Sequence, residues 1–552
     1  MITKSEKVNC KYDPYAICLI AIVAFIIRYM FLGTEKIIDT DSVQYLTLAK
    51  NIMNGGGFIS DGSHYPDIIR PPLYPVLVGL FHLVIKDLEL SGRLVSIVFG
   101  SLLVILVYTI TKNIFGRLAA IFSSIVVILH PVLTSISLST VTDATFAFFV
   151  NMAIFLGWLS IDKKNSKYFL LTGIIFGVSY LSRQVGILFF CGYFLFAIFW
   201  LKWDGSLVNQ IVKNIAVLLI GFLILFIPYI AWVKNYNGLW IEPGFKFVEV
   251  QAQWEVEVNK RLKENNLPGN GLSDEVRKYE AIHHGLSDDG KEIMLWKKMK
   301  ELGGDHSPIG LNKQKLGSIF YNLYSLINLA IPSIFPTFLF FFMVFGIIGQ
   351  EWSKAILKKH LYLAFFFVVS ILFVSLSHLE ERYLVPSIII AAIWAGNGAN
   401  NISDFCRNSV KKTISKNYYV VVCIFLLMAS LLPGIYKIHF KEKDEPLEQK
   451  RAGLWLKENK PNSVVMSRKP QISFYAEGKY LVLPFASYRD IMEFARVKNA
   501  KIMVVDERYI PSTRPELINL LREIEVPKEL RLIYKDEEIH GAKLLLYEIK
   551  HN

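Results

Sequence analysis

Charge is scarce in this chain. Only 19% of its 552 residues are Asp, Glu, Lys or Arg, against 53% hydrophobic and 14% aromatic, and the mean hydropathy is +0.38. A soluble domain of this length carries more charge and fewer long apolar runs, so a water-soluble enzyme is excluded. Cysteine is also sparse. Cys10, Cys18, Cys191, Cys406 and Cys423 fall in apolar runs or basic links, with no CxxC or Cys/His spacing, which argues against a zinc ribbon or a thiol redox site. The long polar stretches 234–317 and 440–552 hold no cysteine at all, so their folds use no disulfides, which leans towards a prokaryotic source. There is no repeat of 20–50 residues and no low-complexity tract.

What is there is a series of apolar runs. They recur at about 15–33, 92–112, 118–137, 142–161, 168–183, 185–203, 210–233, 335–350, 359–377, 381–397 and 418–437, each near the length of a helical span. The formal charge of +13 sits in the short links between them rather than on a domain face, as a nucleic-acid binder would need. Alternate links are basic: Lys112/Arg117, Lys163/Lys164/Lys167, Lys202/Lys213, Lys354/Lys358/Lys359 and Arg407/Lys411/Lys412/Lys416. With Lys4, Lys7 and Lys11 ahead of the first run, positive-inside bias makes these links and the amino terminus cytoplasmic. The polar start followed by a span-length run is not the pattern of a cleavable signal peptide.

The expected fold is a polytopic α-helical membrane protein of about eleven transmembrane helices. External loops fall at 34–91 and 234–334, within a membrane domain of 1–437. The apolar stretch 71–86 opens with two prolines and is only about 16 residues long, so it is expected as a re-entrant or juxtamembrane helix within the first loop. The second loop has balanced charge and helix-like patterns at 248–263 and 274–283, and 316–331 is expected along the membrane surface. The segment 440–552 reads as a small extracytoplasmic α/β domain. Its strand-like runs are 463–467, 480–483, 501–505, 530–534 and 543–549, and amphipathic helices are expected at 487–498 and 515–524.

Ionisable groups at the edges of spans are costly and therefore functional candidates. Asp39 and Asp41 follow the first span, Arg70 precedes the 71–86 stretch, Asp143 opens the fourth run and Arg183 closes the fifth. Glu380, Glu381 and Arg382 open the tenth. All fall on the outer side of this topology. Arg28, inside the first span, is expected to snorkel outward. Gly55–Gly57 are expected to bend the first loop rather than to bind phosphate, since no nucleotide motif surrounds them.

The block from Asp41 through Tyr45 to Ala49, then Gly55 to Phe58, then Arg70 to Pro75, resembles the first external loop of polyprenyl-phosphate-sugar glycosyltransferases. These form the GT-C superfamily, which includes the protein O-mannosyltransferases and the lipid A aminoarabinose transferase. Asn113 to Gly116, Asp143 and Arg382-Tyr383 to Pro386 extend the resemblance over most of 15–400. It implies a donor sugar on dolichyl or undecaprenyl phosphate, inverting transfer outside the cytosol to a lipid, glycan or protein acceptor, and residence in the plasma membrane. Asp41 matches the family's catalytic base. Arg70 and Arg382 match basic positions suited to the lipid phosphate, with Tyr45, Asp143, Tyr383 and Arg183 beside them as substrate-binding candidates. Asp39-Thr40-Asp41 also forms a DxD that suits a divalent cation, for which Asp143, His64, His283 and His284 are further ligand candidates. A competing reading is a transporter or lipid flippase, which places charged residues near the midplane in inverted repeats. Another is a receptor or scaffold working through its tail.

Overall fold

The computed structural model describes residues 13–59, 66–237, 240, 323–376, 380–409, 416–441, 444–483, 488–537 and 541–550. The helices expected at 248–263 and 274–283, and His64, His283 and His284, lie outside the described residues.

Helices dominate up to residue 439. In chain order they are α1 (Asp13–Met30), α2 (Thr40–Met53), α3 (Leu73–Ile85), α4 (Leu88–Phe115), α5 (Arg117–Leu129), α6 (Pro131–Ile136), α7 (Asp143–Lys163), α8 (Ser166–Ser182), α9 (Gly186–Trp203), α10 (Val208–Asn237), α11 (Thr337–Ile348), α12 (Lys354–Leu376), α13 (Val385–Ser409) and α14 (Lys416–His439). Every apolar run is thus helical. Among the described residues, seven helices (α1, α4, α7, α9, α10, α12 and α14) are long and apolar enough to cross a membrane. The run at 118–137 is two helices, not one. It breaks at His130, whose extended backbone (ψ 124°) is what a following proline imposes, and Pro131 then opens α6. The 13-residue α3 is about 20 Å long, short of the roughly 30 Å hydrocarbon core.

The chain divides into two compact units. One holds the described residues of 1–35, 71–228 and 309–441, the other those of 36–70, 229–308 and 442–552. Residues 36–70 of the first loop therefore group with the carboxy-terminal segment.

Within the first unit, local signals set the helix ends. The Asp87 carboxylate accepts from Leu90 N at 2.7 Å to cap α4, Asn165 does the same for α8 through Lys167 N at 2.9 Å, and Gly116 at φ 98° separates α4 from α5. Side-chain polarity is inverted relative to a soluble bundle. Leu19, Ile22, Ile26 and Met30 of α1 are exposed while Arg28 is wholly buried, the arrangement of a helix solvated by lipid. Arg28 does not snorkel. Its guanidinium donates to Ser137 Oγ (3.1 Å), Ala24 O (3.2 Å) and Val127 O (3.3 Å), so fixed dipoles of neighbouring helices replace water around it. The α11–α13 crossing depends on small residues: a Cβ on Gly346 would lie 1.9 Å from Trp394 O, and one on Gly398 would lie 1.8 Å from Phe342 O. Asn397 Nδ2 donates to Gly346 O at 2.7 Å across the same contact.

The second unit contains α2 and a five-stranded sheet. Its elements after α2 and the end of α10 are α15 (Leu447–Asn459), β1 (Val464–Ser467), α16 (Gln471–Tyr475), β2 (Lys479–Val482), α17 (Tyr488–Val497), β3 (Ile502–Asp506), β4 (Leu530–Asp536) and β5 (Leu544–Ile549). Strand order is β2-β1-β3-β5-β4, parallel between β2, β1 and β3 and antiparallel from β3 to β5 to β4. β3 is buried at all five positions, because apolar clusters cover it from both faces. Met503 and Val505 pack with Ile491 and Leu520, whereas Ile502 and Val504 pack with Ala452 and Leu456 of α15. All five expected strands are present. The helix expected at 515–524 is instead a 3-10 turn (Pro515–Leu517) followed by one short turn (Ile518–Leu521).

Candidate active site

In the second unit, Asp39 caps α2. Its extended backbone (φ −80°, ψ 175°) lets Oδ1 accept from Ser42 N at 2.7 Å, which satisfies one of the helix's orphan donors. Asp41 sits in the first turn and is exposed, and Tyr45 lies one turn further along the same face. After α2 the chain reverses through Gly55 (φ 75°) and Gly57 (φ 80°), as expected of these glycines. Asn51 Nδ2 donates to Ile59 O at 2.7 Å, and Asp67 N donates to Phe58 O at 2.8 Å, bringing 66–70 back to α2.

Asp67, which the sequence did not single out, organises that return. Its Oδ1 accepts from Ile69 N (3.0 Å) and Arg70 N (3.1 Å), and its Oδ2 takes Arg70 Nη1 at 2.6 Å. The Asp67 side chain is 3% exposed and that of Arg70 is 21% exposed. Burial acts to lower the Arg70 pKa, but Asp67, then Tyr45 and Asp41, more than offset it, so that it is raised. Arg70 is thus a permanent cation close to Asp41 and Tyr45. The four sequence candidates of this unit, Asp39, Asp41, Tyr45 and Arg70, do converge.

The first unit holds the other four. Asp143 lies in the first turn of α7 with its side chain 3% exposed. Arg183, the residue that ends α8, donates to Asp143 Oδ1. Arg382, in a 3-10 turn before α13, approaches Asp143 Oδ2 at 3.6 Å and bonds Glu380 through Nε. The Tyr383 ring completes the group, with Arg183 Cζ 4.5 Å and Arg382 Cζ 5.4 Å from its centroid. One buried carboxylate and one aromatic face therefore hold two guanidiniums side by side, each still about a quarter exposed. Such a pair offers fixed, planar, charge-assisted donors to an anion with phosphate geometry. Sequence reasoning had Arg183 as a separate end-of-span group, whereas the fold pairs it with Asp143. Arg93 was also missed. It is nearly buried, bonding Glu89 at 2.8 Å and the Glu35 and Leu138 carbonyls at 3.0 and 3.5 Å, and it joins the end of α1 to the segment before α7. Its signal was the Glu89–Arg93 spacing of four on α4.

The DxD lies at the start of α2. Asp39 spends one oxygen on its cap, and among the described residues no group of three or more His, Cys, Asp or Glu is placed to hold a metal ion.

Residues 69–232 match the family described as dolichyl-phosphate-mannose-protein mannosyltransferase. The structure resembles ArnT from Cupriavidus metallidurans bound to undecaprenyl phosphate, with a TM-score of 0.58 and 13% identity over 97% of this chain and 98% of that one. It resembles the apo oligosaccharyltransferase of Archaeoglobus fulgidus with a TM-score of 0.57 and 14% identity over 90% of this chain and 70% of that one. The archaeal oligosaccharyltransferase AglB from Archaeoglobus fulgidus, in complex with an inhibitory peptide and a dolichol-phosphate, aligns with a TM-score of 0.58 and 14% identity over the same shares. No curated protein matches by sequence. The similarity to that mannosyltransferase family is thus carried by residues 69–232, and the fold of the chain is the one seen in ArnT and in the archaeal oligosaccharyltransferase.

Proposed function

We propose that the chain is an inverting glycosyltransferase that moves a sugar from a polyprenyl phosphate to an extracytoplasmic acceptor. The observation that carries this reading is the paired guanidiniums of Arg183 and Arg382 on Asp143 and Tyr383, in a fold shared with a protein solved with undecaprenyl phosphate. Asp41 is the base. It takes the proton of the acceptor hydroxyl while that oxygen forms its bond to the anomeric carbon. The bond from that carbon to the phosphate oxygen breaks, and polyprenyl phosphate leaves with the electron pair. A single displacement needs one base and no second carboxylate. Arg183 and Arg382 meet the charge that grows on the leaving phosphate, a large part of the barrier in such transfers, with Tyr383 beside them; Arg70 and Tyr45 are assigned to substrate beside Asp41.

Positive-inside bias supports a cytoplasmic amino terminus and an external carboxy-terminal domain. The test is release of undecaprenyl phosphate by the full-length protein in nanodiscs, supplied with donor and acceptor lipids extracted from the native membrane. The Asp41→Asn variant is expected to bind undecaprenyl phosphate normally and to release none. Normal turnover by that variant removes Asp41 as base, and translocation of the sugar lipid without transfer turns the reading to a flippase.

A further inference from the structure

The segment that delivers the chain into α2 is held through its main chain by the carboxy-terminal domain. Lys36 N donates to Glu445 Oε2 at 2.9 Å, and Lys36 O accepts from Lys450 Nζ at 2.7 Å. Ile38 N donates to Tyr475 Oη at 3.2 Å, and Gln471 Nε2 reaches Thr40 Oγ1 at 3.4 Å. These four contacts fall within five residues and end one residue before Asp41. Residues 36–39 lie in neither helix nor strand, and a buried amide outside regular structure must find its partner elsewhere. Ile38 is 4% exposed and Tyr475 is 7% exposed.

The holding groups are themselves fixed. The Lys450 ammonium lies 4.7 Å from the Tyr475 ring centroid. α15 and α16 approach so closely that a Cβ on Gly453 would stand 2.6 Å from Tyr475 Cβ and 2.8 Å from Ile472 O. Only a glycine lets α16 seat at that depth, and the depth sets where the Tyr475 hydroxyl meets Ile38.

We infer that the α15–α16 pair is a clamp that positions the base, with Tyr475 as its main positioning residue. The inference rests on the reading of Asp41 given above. Only Asp39 and Thr40 separate Ile38 from Asp41, and the cap on Ser42 N makes that short piece stiff, so a shift at Ile38 is passed to the carboxylate. A misplacement of about 1 Å in a reacting group is enough to lower turnover by as much as about 100-fold. The carboxy-terminal domain thus takes part in the chemistry without touching the substrate.

The experiment uses the full-length protein in nanodiscs, with undecaprenyl phosphate as the binding probe and hydrogen exchange of the peptide covering 36–42 as the local readout. Tyr475→Phe keeps the ring and removes the hydroxyl. It is expected to speed exchange at 36–42 about fivefold, the effect of one lost hydrogen bond, and to lower transfer about tenfold with unchanged undecaprenyl phosphate affinity. Glu445→Ala, which frees Lys36 N, is expected to act in the same direction. In the Asp41→Asn background, Tyr475→Phe is expected to add no further loss. Wild-type exchange and turnover in both variants overturns the clamp, as does faster exchange spread evenly through β1 and β3, which marks a merely structural loss. If Asp41→Asn alone keeps its turnover, the base assignment fails while the exchange data still report on the clamp.

Discussion

Replacing Asp67 separates two jobs that one carboxylate performs. Asp67→Asn leaves an amide oxygen to accept from Ile69 N and Arg70 N but removes the 2.6 Å contact with the Arg70 guanidinium. A hydrogen bond to a charged group contributes about 1.5–3 kcal/mol. Arg70 retains 21% side-chain exposure, so water recovers part of this and the lower end, about 1.5 kcal/mol, applies. Asp67→Ala also strands the two backbone donors, at about 1 kcal/mol each, for a total near 3–4 kcal/mol. The two variants therefore differ by about 2 kcal/mol, and the asparagine should melt between wild type and alanine in a thermal denaturation of the detergent-solubilised protein. Both should weaken undecaprenyl phosphate binding, because Arg70 loses the partner that aims it. If both melt like wild type, or both melt alike, the division of labour is wrong. If stability falls in that order while lipid phosphate affinity is unchanged, Arg70 does not hold the phosphate.

Two further outcomes follow from the geometry. Arg382→Lys keeps the charge but cannot reach Asp143 and Glu380 together as the guanidinium does, so kcat/KM for undecaprenyl phosphate release is expected to fall about 100-fold; full activity in the lysine variant would refute a role for the planar fork. In the carboxy-terminal domain, burial pushes the Asp506 carboxyl up to about 6, against the lowering effect of bonds from Arg508 N and Gln449. The folded state thus binds more protons than the unfolded state between about pH 4 and 6, and this contribution is lost as pH rises through 6. Asp506→Asn should match wild type near pH 4 and exceed it at pH 7 by on the order of 2–3 kcal/mol, read as the melting temperature across pH 4–8; parallel pH profiles would sink the assignment.

Much of this architecture is legible in the sequence because its signals are local. An apolar run is helical wherever it sits, so α1, α4 and α7–α14 follow from composition, and the short valine-rich runs of Val464–Ser467 and Ile502–Asp506 announce strands. What escaped depends on distant partners. α15 buries Glu448 and Gln449 beside Ala452 and Leu456, and that mixed face shows no apolar stripe. α16 has only five residues, too few for any periodicity. Asp67 was not singled out, although its carboxylate bonds Ile69 and Arg70 close by; the contact that depends on the Gly55–Gly57 reversal is that of its N–H with Phe58 O. Arg28 was misjudged because snorkelling is the default for an arginine in a span, and nothing near it in the chain reveals Ser137. The convergence of Asp143, Arg183 and Arg382 was suggested by their shared place at span ends, but the Tyr383 ring beside both arginines was not.

The setting of Arg28 has a consequence for biosynthesis. Two of its three hydrogen-bond acceptors lie 99 and 109 residues downstream. At ordinary elongation rates they emerge roughly 5–20 s after the arginine does. Until then a cation sits in the first inserted segment without its final solvation shell, at a cost of about 3 kcal/mol in hydrocarbon. The final solvation of Arg28 is therefore expected only once the segment carrying Val127 and Ser137 has been inserted.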